Sequence, residues 1–247
     1  MTRRPAPPSL RTCWEARSRN CFWVAEQFGY RLGSLISWAA LRLGLSPNFL
    51  TLCALGCGLA GVAVACAPGV DRVTGGWALL VGLLGSCCFD CSDGVVARLS
   101  GRTSGFGHVL DKVCDLTLSI VLAGALGVVA LNQPTRLLPP EWAPALVVWS
   151  LVPKQVFSVV TWLREAIQSG AGHDSRMLGT SPFDRAKRLV GNLTDDAPYR
   201  AGVALSWMTG WYLEFAFVMH LVFALITVMY MYVNRRNFDG TGAPGRP

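Results

Sequence analysis

Asp90-Cys91-Ser92-Asp93-Gly94-Val95-Val96-Ala97-Arg98, then eight residues, then Gly107-His108-Val109-Leu110-Asp111-Lys112-Val113-Cys114-Asp115 is the stretch that decides how this chain folds. Its four carboxylates fall beside and between apolar segments long enough to cross a bilayer. Ionised groups in that setting are costly and mark function by default. Asp90 and Asp93 are three residues apart and Asp111 and Asp115 four apart, so on helices each pair shares a face. Two helices meeting along those faces gather four carboxylates around one small cavity. Divalent cations are the simplest compensation for that much negative charge.

Composition agrees with a membrane setting. Of 247 residues, 52% are hydrophobic and 15% charged, against about 25% charged in an average soluble domain. The mean hydropathy is +0.39. The net charge of +7 does not indicate nucleic acid, because the basic residues lie in connections between apolar spans, where they set topology. The nine cysteines show no framework of a small secreted domain, which predicts free thiols. Cys88-x-x-Cys91 lacks a second cysteine pair, so a core role outweighs a thiolate metal site.

Apolar spans run over about residues 48–67, 74–89, 106–131 and 143–163, and a last stretch over 199–233. One helix needs about 20 residues to cross. The last stretch, too long for one crossing, is expected to break at Gly210. Nineteen of the 22 Lys and Arg residues then fall on one side, with only Arg72 and Arg136 in the opposite loops and Lys154 within a span. That bias places both termini in the cytoplasm and requires an even number of crossings. The expected fold is an all-α integral membrane protein of the cell membrane, a six-helix transmembrane bundle over residues 47–235 with its site at the cytoplasmic face. Residues 21–46 carry Val24, Phe28, Leu32, Leu35, Ile36, Ala39 and Leu43 near helical period, which predicts an interfacial amphipathic helix. Residues 1–20 and 236–247 are read as disordered tails, and 169–198 as a cytoplasmic loop.

An oxygen-only site at the inner ends of two helices suits Mg²⁺ or Mn²⁺. Two such ions can bridge a pyrophosphate, and a carboxylate with a free oxygen can take a proton from an attacking hydroxyl. Gly94 and Gly107 permit close approach to the backbone, and Arg98 suits a phosphate. These parts together suit phosphoryl transfer.

The pattern D-x2-D-G-x2-A-R-x8-G-x3-D-x3-D resembles the signature of the CDP-alcohol phosphotransferases, also called CDP-alcohol phosphatidyltransferases. It matches at Asp90, Asp93, Gly94, Ala97, Arg98, Gly107, Asp111 and Asp115. Pro47-Asn48-Phe49-Leu50-Thr51 is similar to the family's Pro-Asn-x-x-Thr start of the first span. The resemblance implies that Asp90, Asp93 and Asp111 ligate metal, that Asp115 accepts the proton and also touches a second metal, and that two ions bind. It implies that Asn48, Thr51, Gly94, Ala97, Arg98, Ser104 and Gly107 form the CDP-binding part of the site. It further implies transfer of a phosphatidyl or phosphoalcohol group from a CDP-linked lipid or alcohol donor to a hydroxyl of a small alcohol or phosphorylated polyol. CMP is released, within phospholipid biosynthesis in a membrane of lipids, and the enzyme is expected to be a homodimer.

Acceptor candidates are Lys154, inside the fourth span, Arg164, which with Glu165 resembles a pair in phosphatidylglycerophosphate synthases, and Arg185 and Lys187 of the loop. Snorkelling is the competing reading for Lys154, and leaflet binding for the loop cations. A divalent-cation transporter is the alternative function. It fits poorly, because the carboxylates sit at one membrane face and no inverted repeat is visible. A catalytically inactive structural relative fits poorly too, since every signature residue is present.

Overall fold

The computed structural model describes residues 8–18, 25–131, 135–167 and 196–238. In chain order these form α1 (Leu10–Glu15), a π-helical turn (Ala25–Tyr30), α2 (Arg31–Leu43), α3 (Pro47–Ala65), α4 (Arg72–Ser100) and α5 (Gly105–Ala130). A 3₁₀ turn (Pro140–Trp142), α6 (Ala143–Ser150), α7 (Pro153–Ile167), α8 (Asp196–Thr209) and α9 (Tyr212–Phe238) follow. Among the described residues there is no strand. The protein is an all-α integral membrane protein. Among the described residues, five segments are long and apolar enough to cross a bilayer: Pro47–Ala65, Arg72–Ser100, Gly105–Ala130, Pro140–Leu163 and Tyr212–Tyr232.

The predicted fifth crossing corresponds to α8, which is described over 14 residues, or about 21 Å at 1.5 Å per residue. α8 is not among the five apolar segments, and the residues that precede Asp196 lie outside the described ones. The break at Gly210 is present as expected. Gly210 sits at φ 74°, a left-handed conformation that ends helices, and the Trp211 N–H returns to the Ser206 carbonyl at 2.8 Å. Arg136 donates to the Thr209 carbonyl at 3.2 Å, and Arg72 crowds Gly210. Of the two cations in the opposite loops, Arg136 thus satisfies a carbonyl at the negative end of α8, with Arg72 close by.

The fourth span is interrupted, which the sequence reading of one helix over 143–163 did not anticipate. Pro153 has no N–H and disfavours helical geometry in the residue before it, so α6 ends at Ser150 and α7 starts afresh. Lys154 lies at the second residue of α7, directly after this break.

α3 packs along both α4 and α5, whereas α4 and α5 make few close backbone approaches to each other. The α3–α4 seam depends on small residues. A Cβ on Gly82 would stand 2.8 Å from both the Cys57 carbonyl and the Gly61 Cα. Gly82→Leu is therefore expected to cost at least about 2–3 kcal/mol or to prevent folding, read by thermal unfolding in detergent. Gly56→Leu, where a Cβ meets nothing within 4 Å, is the near-neutral control. Asp71 caps α4 by accepting from the Val73 and Thr74 N–H groups at 2.9 and 3.0 Å. Donation from the Thr74 hydroxyl and backbone holds the Asp71 carboxyl below the usual carboxylate range. The cap's contribution is thus present above about pH 4 and is lost as pH falls through that lowered value.

α2 binds α4 through its small face rather than its large apolar one. Gly33, Ser34, Ser37 and Ala40 are buried, while Phe28 of the π-turn and Leu32, Leu35 and Leu43 of α2 are exposed. The Ser92 hydroxyl donates to the Gly33 carbonyl at 3.0 Å, and the Ser37 hydroxyl to the Ser92 carbonyl at 3.2 Å. Of the expected apolar stripe, Phe28, Leu32, Leu35 and Leu43 are thus exposed, whereas Ile36 packs against Ala40, Leu50 and Val96. Residues 10–15, expected to be disordered, are instead the helix α1. Ser9 caps it by accepting from the Thr12 N–H at 3.1 Å, and Cys13 is fully buried.

Candidate active site

α4 and α5 are joined by only four residues, 101–104. Gly101, at φ 65°, ends α4, and the Arg102 N–H returns to the Ala97 carbonyl at 3.0 Å. Ser104 starts α5 by accepting from the Gly107 N–H at 3.0 Å. The short connection makes the helices antiparallel and fixes depth. At 1.5 Å per residue, Asp93 and Asp111 each lie about 10 Å from the connection, and Asp90 and Asp115 about 15 Å. The carboxylates therefore pair by level across the gap that α3 holds open.

Asp90, Asp93 and Asp111 each offer a carboxylate oxygen, and these oxygens all lie within 4.8 Å of one another. Three of the four expected metal ligands thus converge. Asp115, the fourth carboxylate of the signature, is not part of that group of three. Its Oδ1 lies 3.8 Å from Nη2 of Arg200. Thr51 donates its hydroxyl to Asp93 Oδ2 and is 5% exposed. Thr51, expected in the CDP-binding part of the site, thus contacts one of the three grouped carboxylates. Asn48 borders the connection: a Cβ on Gly107 would meet Asn48 Oδ1 at 3.1 Å and Ser104 Oγ at 3.2 Å. Gly94 and Arg98 lie on one face of α4, with the guanidinium over the glycine. Ala97 accepts the helix-ending bond described above.

Arg200, one of the nineteen basic residues counted on the positive side, turns its side chain into the bundle. It is 5% exposed and donates to the Ser86 hydroxyl at 3.3 Å and the Leu83 carbonyl at 3.4 Å. Its position at the start of the last apolar stretch was the available signal, because an arginine there faces either the interface or a polar interior. Lys112, also read as a topology charge, lies on α5 with Nζ 3.2 Å from Asp111 Oδ2 and 5.6 Å from the Trp162 ring centre.

Behind Asp115 is a polar cavity of about 170 Å³ lined by Lys112, Asp115, Ser119, Lys154, Gln155, Ser158 and Trp162, with Leu116 beside them. Lys154 is 7% exposed and donates to the Ser119 hydroxyl at 3.2 Å, so it faces the cavity and does not snorkel. The buried Oε1 of Gln155 has no hydrogen-bond partner among the described residues. A larger cavity, about 500 Å³, lies between α8 and α9 near Leu137, Trp211 and Phe215, away from the carboxylates. Among the other acceptor candidates, Arg164 is on α7 with its side chain outside the described residues, and Arg185 and Lys187 lie outside them altogether. Cys87, Cys88 and Cys91 are buried, and none of the described cysteines forms a disulfide.

Comparison with known proteins agrees with this geometry. The family model for CDP-alcohol phosphatidyltransferases matches residues 44–231. A phosphatidylinositol phosphate synthase of Corynebacterium glutamicum is 34% identical over 175 residues, covering 67% of this chain and 71% of that protein. With the signature aspartates on two facing helices of a membrane bundle, these matches show that the chain belongs to the CDP-alcohol phosphatidyltransferase family and is a CDP-alcohol phosphotransferase.

Proposed function

We propose that this enzyme transfers a phosphatidyl group from CDP-diacylglycerol to a hydroxyl of a phosphorylated polyol, with CMP as the leaving group. The observation that carries the choice of acceptor is the polar cavity beside Asp115, lined by Lys112 and Lys154 and adjoining Arg200. Lys154 on the cavity wall, with Lys112 and Arg200 nearby, concentrates positive charge where an acceptor that brings a phosphate would be held. Ser119, Gln155 and Ser158 supply donors and acceptors for polyol hydroxyls. The name of the Corynebacterium relative, a phosphatidylinositol phosphate synthase, supports the same acceptor class.

The donor set fits a divalent cation: three carboxylate oxygens within 4.8 Å, with no thiolate or imidazole among them, are hard ligands suited to Mg²⁺ or Mn²⁺. Asp90, Asp93 and Asp111 would hold the metal, with Asp115 at its edge. When bound, a pair of such ions neutralises the pyrophosphate and the charge that develops on the leaving CMP. The chain's own groups do the rest. Thr51 fixes Asp93. Arg98, over Gly94, faces the donor phosphates, and Asn48 and Ser104 border the nucleotide side. Asp115 takes the proton from the acceptor hydroxyl as its oxygen forms the new bond to the β-phosphorus. The bond from that phosphorus to the CMP oxygen breaks, and CMP departs with the electron pair. Arg200 holds the Asp115 carboxylate in place from below.

The distribution of basic residues supports a cytoplasmic site and cytoplasmic termini in the cell membrane. The test of acceptor class is to supply purified enzyme with CDP-diacylglycerol and radiolabelled inositol phosphate, inositol, glycerol phosphate or serine, and to analyse the lipid product. Label is expected to enter lipid from a phosphorylated polyol. Incorporation from serine or free inositol alone would overturn the assignment. Arg200→Met is expected to lower kcat about 10- to 100-fold with little change in the KM for donor, measured in the same assay. Arg200→Lys should recover only part of the loss, because a lysine does not reproduce the guanidinium fork.

A further inference from the structure

Arg98 is held from outside the family domain. Its Nε donates to the backbone carbonyl of Ala16 at 2.9 Å, and Ala16 is the residue that ends α1. The family match begins at residue 44, so this partner belongs to a segment that the shared domain does not include. The bond occupies Nε and turns the other nitrogens toward Gly94, where a Cβ would stand 3.2 Å from Nη1 and 3.7 Å from Nη2.

The segment that offers the carbonyl is itself docked. Cys13 is fully buried, and α1 packs against α2 and α4. Arg17 donates through Nη2 to Glu26 Oε1 at 2.9 Å and through Nε to the same oxygen at 3.2 Å. It also donates to the Trp14 carbonyl at 3.1 Å, and its guanidinium lies 4.1 Å from the Trp14 ring centre. The side chains of this ion pair are 22% and 33% exposed, so it is partly sheltered from solvent. An arginine on an exposed helix end otherwise samples many rotamers, and fixing one in advance lowers the entropic cost of binding.

We propose that residues 9–17 act as a clamp on the nucleotide side of the active site: the Ala16 carbonyl positions Arg98 over Gly94 for the pyrophosphate of the CDP-linked donor, and the Arg17–Glu26 pair locks the clamp shut. The clamp is a positioning element that acts through Arg98, and it rests on the assignment of Arg98 to the donor.

The experiment compares full-length enzyme with Arg17→Glu, Glu26→Arg, the Arg17→Glu/Glu26→Arg double swap, Arg98→Ala, and Arg98→Ala combined with Arg17→Glu. KM for CDP-diacylglycerol, kcat, and inhibition by CMP are measured for each, with thermal unfolding as the folding control. Loss of one hydrogen-bonded position is worth about 1 kcal/mol, or roughly fivefold. Each single charge reversal is expected to raise the donor KM about three- to tenfold and to leave kcat within twofold. The double swap should bring KM back toward wild type, and Arg17→Glu should add little once Arg98 is alanine. A donor KM unchanged by the charge reversals while Arg98→Ala raises it would overturn the clamp and leave the role of Arg98 standing. If Arg98→Ala leaves the donor KM unchanged, the assignment of Arg98 fails, and the clamp with it. Equal loss of kcat and thermal stability without a KM effect would make α1 a structural element only.

Discussion

Asp115→Asn is expected to lower kcat by about 10²- to 10⁴-fold, the usual contribution of a positioned general base. Divalent-metal binding and the donor KM should stay close to wild type. The split follows from geometry. Asp115 lies outside the group of three carboxylates whose oxygens fall within 4.8 Å of one another, and is oriented by Arg200 at 3.8 Å. The amide keeps size and most hydrogen bonding and loses proton affinity. Steady-state CMP release and Mn²⁺ titration by electron paramagnetic resonance read the two effects separately. If Mn²⁺ binding fell in parallel with kcat, Asp115 would be a metal ligand first and a base second.

Asp111→Asn and Asp93→Asn are expected to show the opposite pattern, with loss of metal binding and loss of CMP release to background. Each removes one of three charges from a site that has no other oxygen-rich cluster among the described residues to replace it. For Asp93 the structure adds a graded companion. Thr51 donates to its Oδ2, so Thr51→Val should weaken Mn²⁺ affinity about 10-fold, as removal of an outer-shell partner does, and Thr51→Ser should restore it. Retention of full Mn²⁺ affinity in Asp111→Asn would move the metal site away from α5.

The parts of this site that lie within one or two helical turns of each other were legible in the sequence. Spacings of three and four residues fix a shared helix face, and Gly101 with Ser104 marks a connection so short that α4 and α5 must run antiparallel. The break at Gly210 was legible for the same reason, since one residue in the left-handed region decides it. What escaped depended on long-range packing. Arg200 meets Asp115 only because α8 packs along α4, and nothing near Arg200 in the sequence reports that. Lys112 was read by its charge and not by its position between two signature aspartates. The helix α1 is hidden by composition: a basic, proline-rich start reads as a tail, and the Ser9 cap on the Thr12 N–H is only a short local signal against it. On α2 the apolar stripe is the conspicuous sequence feature, yet the small residues carry the packing, because Gly33, Ser37 and Ala40 are what fit against α4. Pro153 alone carries the sequence signal for the interruption of the fourth span.

The central claim is that carboxylates of α4 and α5 together bind the cation on which phosphatidyl transfer from a CDP-linked donor depends. The most direct measurement is CMP release by the purified enzyme from CDP-diacylglycerol, with and without Mg²⁺ and with and without a phosphorylated polyol. The account predicts release only when cation, donor and acceptor are all present, and its disappearance on addition of a chelator. CMP release that persists at full rate in excess chelator would contradict it.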